Sequence, residues 1–328
     1  MDRKDFIKNS AFSAFFLGIS SAFGNLFNSS LKSNPAKAGK YRGLEGVFSP
    51  TNTHMVGDGF KVMNFFPNGK GFEERMSPFF LLDFNAEVNF PPSEISRGVG
   101  VHPHRGIETI TFAYKGSVAH HDSAGNSGVI NPGDVQWMTA GGGVLHKEYH
   151  EKTFDQKGGA FEMVQLWINL PKKHKMTPAK YQSILHSKKP NTILANNMGS
   201  VHVVAGEYKG VKGIANTFSP VHMYDIHLNP NGEVDFSLPA NYNSAILVID
   251  GKVTINETPV DENHYVQFKN EAGEIHIKAS SKSILLVLSG EPLNEPYVSY
   301  GPFVMNTEAE IKQAIEDYNA GKFGFLAD

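Results

Sequence analysis

The chain is divided into short runs of β-branched and aromatic residues, separated by turns rich in glycine and proline. Residues 108–114 and 135–140 are two such runs, and the Asn-Pro-Gly-Asp sequence at 131–134 between them is a strong turn. Because these residues favour extended backbone and such turns reverse it, each run is predicted to be a strand. The 32 glycines and 18 prolines agree with many short strands. The pattern predicts an all-β sandwich or jelly-roll barrel.

The second half of the chain repeats this pattern. Its predicted strands are residues 201–205, 221–228, 244–249, 252–255, 265–268, 274–277 and 283–288. Two β-barrels in tandem are therefore predicted, with domains at residues 39–175 and 176–328. The polar residues 172–187 are expected to form a linker with one short helix. A short helix is predicted at the C-terminus, because Thr307 and Glu310 form a capping box and Gly321 ends the pattern.

Two pairs of potential metal ligands lie in predicted strands of the first half. His102 and His104 are two residues apart, and so are His146 and Glu148. Side chains two apart in a strand point to the same face, and Pro103 favours extended backbone at the residue before it. If the two strands come together, three imidazoles and one carboxylate converge. That donor set suits iron, copper, nickel, zinc or manganese.

Other histidines and acidic residues are predicted not to bind metal. His120 and His121 are adjacent, so they cannot both face the same side of a strand. His150 shares the face of the second ligand pair only if that strand continues. Asp225 and His227 have the same two-residue spacing but no second pair nearby, which favours a structural role.

Composition excludes several other kinds of site. The chain has no cysteine, which excludes disulfides, cysteine-ligated iron–sulfur clusters, thiolate metal sites and cysteine nucleophiles. Its formal net charge is -3 and it has no long basic run. Direct binding to nucleic acid is therefore not expected, because such binding needs a basic surface.

Residues 1–38 are predicted to be an export signal. Arg3 and Lys4 begin a basic region, residues 11–23 form an apolar run too short to span a bilayer, and residues 36–38 form a small-residue cleavage site. The order of the first charged residues resembles a twin-arginine signal, with Lys4 in place of the second arginine. Export to the periplasm is expected, with no stable membrane span. The alternatives are an amphipathic anchor helix or a disordered tail, and a cytoplasmic location.

Longer motifs resemble those of the pirin family. They are His-Pro-His-Arg-Gly-Ile-Glu-Thr at 102–109, Asn-Pro-Gly-Asp-Val-Gln-Trp-Met-Thr-Ala-Gly at 131–141, Leu-His-Lys-Glu at 145–148, Gln-Leu-Trp-Ile-Asn-Leu at 165–170 and Gly-Pro-Phe-Val-Met-Asn-Thr at 301–307. The similarity covers nearly all of the chain after the predicted signal. It implies a bicupin, in which two β-barrels face each other and only the N-terminal barrel binds metal.

The resemblance also implies a function. Members of the family bind iron, several have quercetin 2,3-dioxygenase activity, and the nuclear animal members are transcriptional co-regulators. The expected cofactor is therefore Fe²⁺ or another divalent transition metal, and the expected partners are a small aromatic, flavonol-like substrate and O₂. Pirins take the glutamate two residues beyond the last histidine as fourth ligand, which here is Glu148; it is also the expected general base. Glu108, at the position that generic cupins use, is the alternative fourth ligand.

Two other functions are compatible with the same residues. One is an iron-binding, redox-sensing or regulatory protein without catalytic turnover, although an export signal argues against a transcriptional role. The other is a non-redox metal enzyme, such as an isomerase with zinc or manganese. The sequence does not indicate the natural substrate or the oligomeric state.

Overall fold

The structure, a computed structural model, describes residues 40–49, 53–67 and 75–327. The predicted export signal at residues 1–38 lies outside these residues. In the described part of the chain, no helix is both long and apolar enough to cross a membrane.

The first half of the chain forms two antiparallel sheets. Its strands are β1 (Leu44–Phe48), β2 (Thr53–Val56), β3 (Phe60–Phe66), β4 (Phe79–Phe90), β5 (Gly98–His104), β6 (Ile107–Lys115), β7 (Val118–Asp122), β8 (Ser127–Ile130), β9 (Val135–Thr139), β10 (Val144–His150), β11 (Gly159–Asn169) and β12 (Lys180–Ile184). A short helix, α1 (Lys152–Lys157), connects β10 to β11. The large sheet has the order β12-β9-β6-β11-β4-β3-β2 and the small sheet the order β5-β10-β7-β8. Together they form the first barrel.

The second half has the same architecture. Its strands are β13 (Asn191–Leu194), β14 (Gly199–Ala205), β15 (Glu207–Tyr208), β16 (Val211–Lys212), β17 (Val221–Leu228), β18 (Glu233–Ser237), β19 (Asn243–Asp250), β20 (Lys252–Ile255), β21 (Thr258–Asp261), β22 (Tyr265–Phe268), β23 (Glu274–Ala279), β24 (Ser283–Gly290), β25 (Val298–Tyr300) and β26 (Phe303–Met305). The sheets β1-β22-β19-β24-β17-β14-β13 and β18-β23-β20-β21 form the second barrel. The predicted all-β fold with two barrels is confirmed.

The C-terminal helix α2 (Glu308–Asn319) is also confirmed. The Thr307 hydroxyl accepts a hydrogen bond from the Glu310 backbone N–H at 3.2 Å, as the capping box requires. The prediction for residues 172–187 is wrong. They contain two short 3₁₀ helices, Lys172–His174 and His186–Lys188, with β12 between them. Strand β12 forms because it pairs with β9 and becomes the edge of the large sheet, and a local pattern cannot reveal that partner.

The two large sheets pack against each other across the middle of the molecule. The shared core contains Leu82, Phe84 and Trp137 from the first sheet and Met223 and Leu286 from the second. Because side chains alternate across a strand, the opposite face of each large sheet lines the inside of its own barrel. This alternation determines what each barrel contains.

The two barrel interiors differ in chemistry. The inside of the second barrel is filled by aliphatic and aromatic side chains, such as Val203, Ile226 and Val248. In the first barrel, the apolar runs of the large sheet are interrupted by buried polar residues, including Asp83 and Thr111. A barrel with polar groups inside needs partners for them, so the first barrel is the one built for a ligand.

Segments at both ends of the described chain cross the predicted domain boundaries. Strand β1 lies in the half assigned to residues 39–175, yet it pairs with β22 of the second barrel. Conversely, β26 and α2 follow the second barrel and pack with Leu145 of the first. Each barrel thus includes a segment from the other half of the chain. This arrangement depends on non-local packing, which the repeated strand pattern does not predict.

Candidate metal centre

The two predicted ligand pairs lie on adjacent antiparallel strands. In the register of β5 and β10, His102 is opposite His146 and His104 is opposite Val144. Residues that are opposite each other in a sheet point to the same side, so the three imidazoles share the inner face of the first barrel. A register shift between His146 and Glu148 places the carboxylate further along the strand, opposite Val99.

The three histidines form a close cluster. Their ring centroids are 4.2 Å apart for His102 and His146, 4.8 Å for His104 and His146, and 5.0 Å for His102 and His104. One ring nitrogen from each lies within 4.8 Å of the others, and all three residues are buried. Nitrogen donors at this spacing from three imidazoles can converge on one ion.

The hydrogen bonds and pKa values of these histidines suit metal ligands. Burial lowers the pKa of His102 to about 4, and burial and the neighbouring imidazoles lower the pKa of His104 and His146 well below the usual value. The rings are therefore neutral, as metal binding requires. His102 Nδ1 donates to the Gly100 carbonyl at 2.8 Å, which leaves the lone pair on Nε2.

His146 gives the clearest sign of a missing partner. Both of its ring nitrogens are buried, and neither has a hydrogen-bond partner among the described residues. A buried polar atom without a partner costs about 1–3 kcal/mol. A divalent metal held by the three histidines would give one of these two nitrogens a partner, so the residues fit such an ion.

Glu148, the expected fourth ligand, lies in the same pocket but outside the close cluster. Its Oε1 accepts a hydrogen bond from the Thr111 hydroxyl at 3.1 Å. Burial raises its pKa to about 7, and the hydrogen bond from Thr111 opposes that shift. A cation bound by the histidines would favour the ionised form, because an opposite charge stabilises a carboxylate.

Glu108, the alternative ligand, is occupied elsewhere. Its Oε1 accepts hydrogen bonds from Trp137 Nε1 at 2.9 Å and from the Thr139 hydroxyl at 2.8 Å. Trp137 belongs to the core between the two barrels, so these bonds anchor the carboxylate there. The structure does not bring Glu108 into the histidine cluster.

The three histidines of the first barrel that were predicted not to bind metal have protein partners. Strand β10 continues to His150, but His150 Nε2 donates to the Gly59 carbonyl at 2.8 Å and Nδ1 lies 3.3 Å from Asp155. His120 is buried and its Nε2 lies 2.8 Å from the Tyr181 hydroxyl, while His121 Nδ1 contacts the Tyr149 hydroxyl at 2.7 Å. None of the three is part of the cluster described above.

Asp225 and His227, the pair in strand β17 for which a structural role was predicted, bind other protein groups. Asp225 Oδ1 accepts from His227 Nε2 at 3.0 Å, and its Oδ2 accepts from the buried Lys189 ammonium at 3.0 Å. These contacts outweigh the cost of burial and hold the Asp225 pKa well below its usual range.

The tight corner before β10 depends on glycine. Gly141 has a positive φ of 51°, and a Cβ there would lie 2.0 Å from the Thr177 carbonyl oxygen. A side chain at this position would displace the turn that leads into the strand carrying His146.

A pocket opens onto the histidine cluster. It contains about 500 Å³ of empty space, part of it open to solvent. Its apolar lining consists of Val56, Phe60, Val62, Leu81, Val99, Met163 and Trp167, and its polar lining of Asp83, His102, His104, Glu148 and Gln165. This mixture of a mainly apolar wall and a few polar groups is typical of sites for small organic molecules.

Three polar residues of the pocket region were not predicted as site residues. Asp83 is opposite Gln165, and Gln165 is opposite Thr111, on three neighbouring strands. The Thr111 hydroxyl lies 2.6 Å from the Gln165 side-chain amide and contacts Glu148 as well. Burial raises the Asp83 pKa to about 7, and a hydrogen bond from Asn64 opposes the shift. The sequence signal was a polar residue inside a largely apolar run, Asp83 in residues 79–84 and Gln165 in residues 164–168; Thr111, a β-branched residue in a strand, gave no such signal.

Comparison with known proteins agrees with this architecture. A family model described as Pirin matches residues 59–168, and one described as the Pirin C-terminal cupin domain matches residues 223–324. Together they cover both barrels.

Individual relatives are similar over most of the chain. A Pseudomonas aeruginosa protein named as a candidate quercetin 2,3-dioxygenase is 44% identical over 279 residues, 85% of this chain and 97% of the relative. Pirin-like protein 2 of Arabidopsis thaliana is 38% identical over 262 residues, 77% of each chain. A crystal structure of quercetin 2,3-dioxygenase from Acinetobacter baumannii is 45% identical, with a TM-score of 0.83, covering 88% of this chain and 100% of that one.

Proposed function

This chain belongs to the pirin family, and we propose on that basis that it is a metal-dependent dioxygenase acting on a flavonol-like aromatic substrate with O₂. The observation that carries the proposal is the buried cluster of His102, His104 and His146, of which the first two line a mainly apolar pocket. Two relatives with more than two-fifths identity carry the name of quercetin 2,3-dioxygenase, one of them as a candidate, which supports the substrate class.

In this proposal His102, His104, His146 and Glu148 hold a single Fe²⁺ ion. A redox-active divalent metal would supply Lewis acidity and a route for electrons between the organic substrate and O₂. Other divalent transition metals suit the same donors, because ligand type selects only loosely among them. The absence of thiolate ligands separates this centre from structural zinc sites.

The side chains of the pocket perform the remaining tasks. Glu148, as a carboxylate, accepts the proton of the substrate's enolic hydroxyl, and the Thr111 hydroxyl orients it for that transfer. Phe60 and Trp167 offer aromatic surface to a planar substrate and exclude water. Trp167 also packs edge-on against the His104 ring, with centroids 4.9 Å apart, which restrains that ring.

Asp83 and Gln165 are placed to recognise the substrate's other hydroxyl groups. Both line the pocket. A buried carboxyl such as Asp83 and a half-buried amide such as Gln165 can both donate and accept hydrogen bonds. A site built to pair with hydroxyls rejects analogues that lack them. These residues therefore favour a polyhydroxylated aromatic substrate over an unsubstituted one.

The overall reaction is balanced without another reductant. Two carbon–carbon bonds of the central ring break, the carbon between them leaves with its oxygen as carbon monoxide, and both atoms of O₂ enter the opened product. The proton taken up by Glu148 returns to the product.

Turnover of quercetin tests this proposal. Protein loaded anaerobically with Fe²⁺ is mixed with quercetin and O₂, and loss of the flavonol and release of carbon monoxide are followed, with His104→Ala as the control. Metal-dependent turnover that is lost in the variant is expected. If the wild-type protein binds iron through its histidines but releases no carbon monoxide, quercetin cleavage is refuted and a redox-sensing role is favoured.

The location of the protein remains a proposal as well. We propose that residues 1–38 direct export, because of their basic start, short apolar run and small-residue cleavage site. Cell fractionation with and without these residues tests it, and recovery of the full-length chain only in the cytoplasm would refute it.

A further inference from the structure

Arg105, which directly follows His104, joins several separate parts of the molecule. Its side chain is 4% exposed. Its Nε donates to the Gly142 carbonyl at 2.8 Å, and its Nη1 donates to Asp317 Oδ2 at 2.9 Å. The guanidinium also lies over the Phe323 ring, 4.7 Å from its centroid. A planar group with a fixed fork of donors can hold all of these contacts at once.

These contacts connect both strands that carry the histidines. Gly142 lies in the corner immediately before β10, and the backbone N–H of Gly106 donates to the Gly141 carbonyl in the same corner at 2.8 Å. The end of β5, with His104, is thus fastened to the start of β10, with His146. The fastening is separate from the ladder hydrogen bonds between the two strands.

The third partner is the segment that returns from the second barrel. Asp317 lies in α2, and Phe323 follows that helix. The Arg105 backbone N–H donates to the Pro302 carbonyl at 3.3 Å, and the Val304 N–H donates to the Arg105 carbonyl at 3.1 Å. The C-terminal segment therefore holds both the backbone and the side chain of this residue.

A second buried basic side chain strengthens the same junction. Lys175 Nζ donates to the Gly106 carbonyl at 2.9 Å and to the Val304 carbonyl at 2.6 Å, and it also contacts the Asn169 side chain. The residue after Arg105 is thereby tied to β26. The side chains of Arg105 and Lys175 thus both connect the end of β5 to the C-terminal segment.

We propose that Arg105 and Asp317 are positioning residues for the metal centre, through which the C-terminal helix sets the metal affinity of the first barrel. The inference rests on the metal site of the proposed function. Metal–nitrogen bonds have narrow length ranges, so the separation of the two ligand strands must be held to a few tenths of an ångström. The Arg105 side chain reaches from the end of β5 to Gly142, before β10, through Nε, and to Asp317 of α2 through Nη1.

Metal affinity, rather than activity, provides the test. Ni²⁺ serves as an air-stable probe, and its dissociation constant is measured by competition with a chelator for the wild type, Arg105→Lys and Asp317→Asn. Lysine keeps the charge but cannot replace the fork. Loss of a partner outside the ligand set weakens metal binding by about 10–100-fold, and we expect about tenfold here. Phe323→Leu, which preserves both charges, should give a smaller loss in the same direction.

Arg97→Lys is the matched control. Arg97 precedes the opposite end of β5, its Nη1 donates to Asp155 at 3.1 Å, and its guanidinium lies over the Phe90 ring. This variant removes the same type of contact without touching the junction, so its Ni²⁺ affinity should stay within about twofold of wild type. The melting temperature of each metal-free variant shows how much each change affects the fold itself.

The outcomes separate the two proposals. If Arg105→Lys and Asp317→Asn melt earlier but bind Ni²⁺ as tightly as the wild type, their role is only structural and the inference is overturned. If Arg97→Lys loses as much affinity as they do, the effect is general and the inference is also overturned. If the wild type and His146→Ala bind Ni²⁺ equally, the metal centre itself fails, and the positioning role with it.

Discussion

Asp83 offers a quantitative test of the electrostatics of the pocket. It is 6% exposed and lies inside the first barrel, where its Oδ1 accepts a hydrogen bond from Asn64 Nδ2 at 2.7 Å. Asp83→Asn keeps the size of the side chain and the acceptor oxygen but removes the titrating group. The substitution therefore isolates the cost of ionising a carboxyl in this position.

The sign and size of the effect follow from the pKa. Burial raises the Asp83 pKa from 3.8 to about 7. Between these values the folded protein binds more protons than the unfolded chain, so wild-type stability falls as the pH rises. Each unit of pKa difference is worth about 1.4 kcal/mol, so the ionisation cost is about 2 kcal/mol near pH 5 and about 4 kcal/mol near pH 8. The stability of Asp83→Asn relative to wild type should therefore rise by about 2–3 kcal/mol between pH 5 and pH 8.

Urea denaturation of the metal-free protein measures this difference. Wild type and Asp83→Asn are unfolded near pH 5 and near pH 8, and the free energies are compared at each pH, so that contributions from other titrating groups cancel. Equal differences at the two values of pH would show that Asp83 has an ordinary pKa in the folded protein. That result would refute the argument that the pocket is a low-dielectric environment.

Three further predictions concern the fourth ligand, the pocket and the core. Glu148→Gln should weaken binding of Fe²⁺ or Ni²⁺ by at least about tenfold, whereas Glu108→Gln should leave metal stoichiometry unchanged. Equal losses of metal affinity in the two variants, measured by competition with a chelator, would contradict the assignment of Glu148 as the fourth ligand. Val62→Phe should fill part of the pocket and raise the KM for quercetin by about tenfold, or about 1.4 kcal/mol, with unchanged metal content, and an unchanged KM would show that the substrate binds elsewhere. Leu286→Ala, at the packed face between the barrels, should cost about 2–5 kcal/mol of stability in denaturation experiments, and a cost below about 1 kcal/mol would contradict the shared core.

The sequence predicts those parts of the fold that local patterns determine. Strands β17, β20 and β22 have the predicted bounds, because each is a short run rich in β-branched, aliphatic and aromatic residues between clear turns. The helix α2 follows from its capping residues, which act within one turn of the chain. Strands β12 and β13 were not predicted, because they are short, largely exposed edges whose stability comes from a partner strand.

The site residues also fall into two groups, those that local spacing predicts and those that only the packing brings together. The close approach of His102, His104 and His146 follows from two-residue spacing once two strands are adjacent. Asp83 and Gln165 could not be assigned, because their meeting depends on the register of β4 against β11. Only the structure gives that register.

The return of the C-terminal segment to the first barrel is the least predictable feature. The ion pair of Arg105 and Asp317 joins residues 212 positions apart. Nothing in either local sequence identifies the other as its partner. A positioning role of this kind is therefore visible only once the packing is known.

Metal content is the most direct test of the central claim, that His102, His104 and His146 hold one divalent ion. Wild type, His146→Ala and His202→Ala are loaded anaerobically with Fe²⁺, freed of excess iron by gel filtration and analysed for iron per chain. His202 lies in β14 of the second barrel and serves as the control. The account predicts one iron per chain in the wild type and in His202→Ala, and none in His146→Ala. Equal iron in wild type and His146→Ala would contradict it.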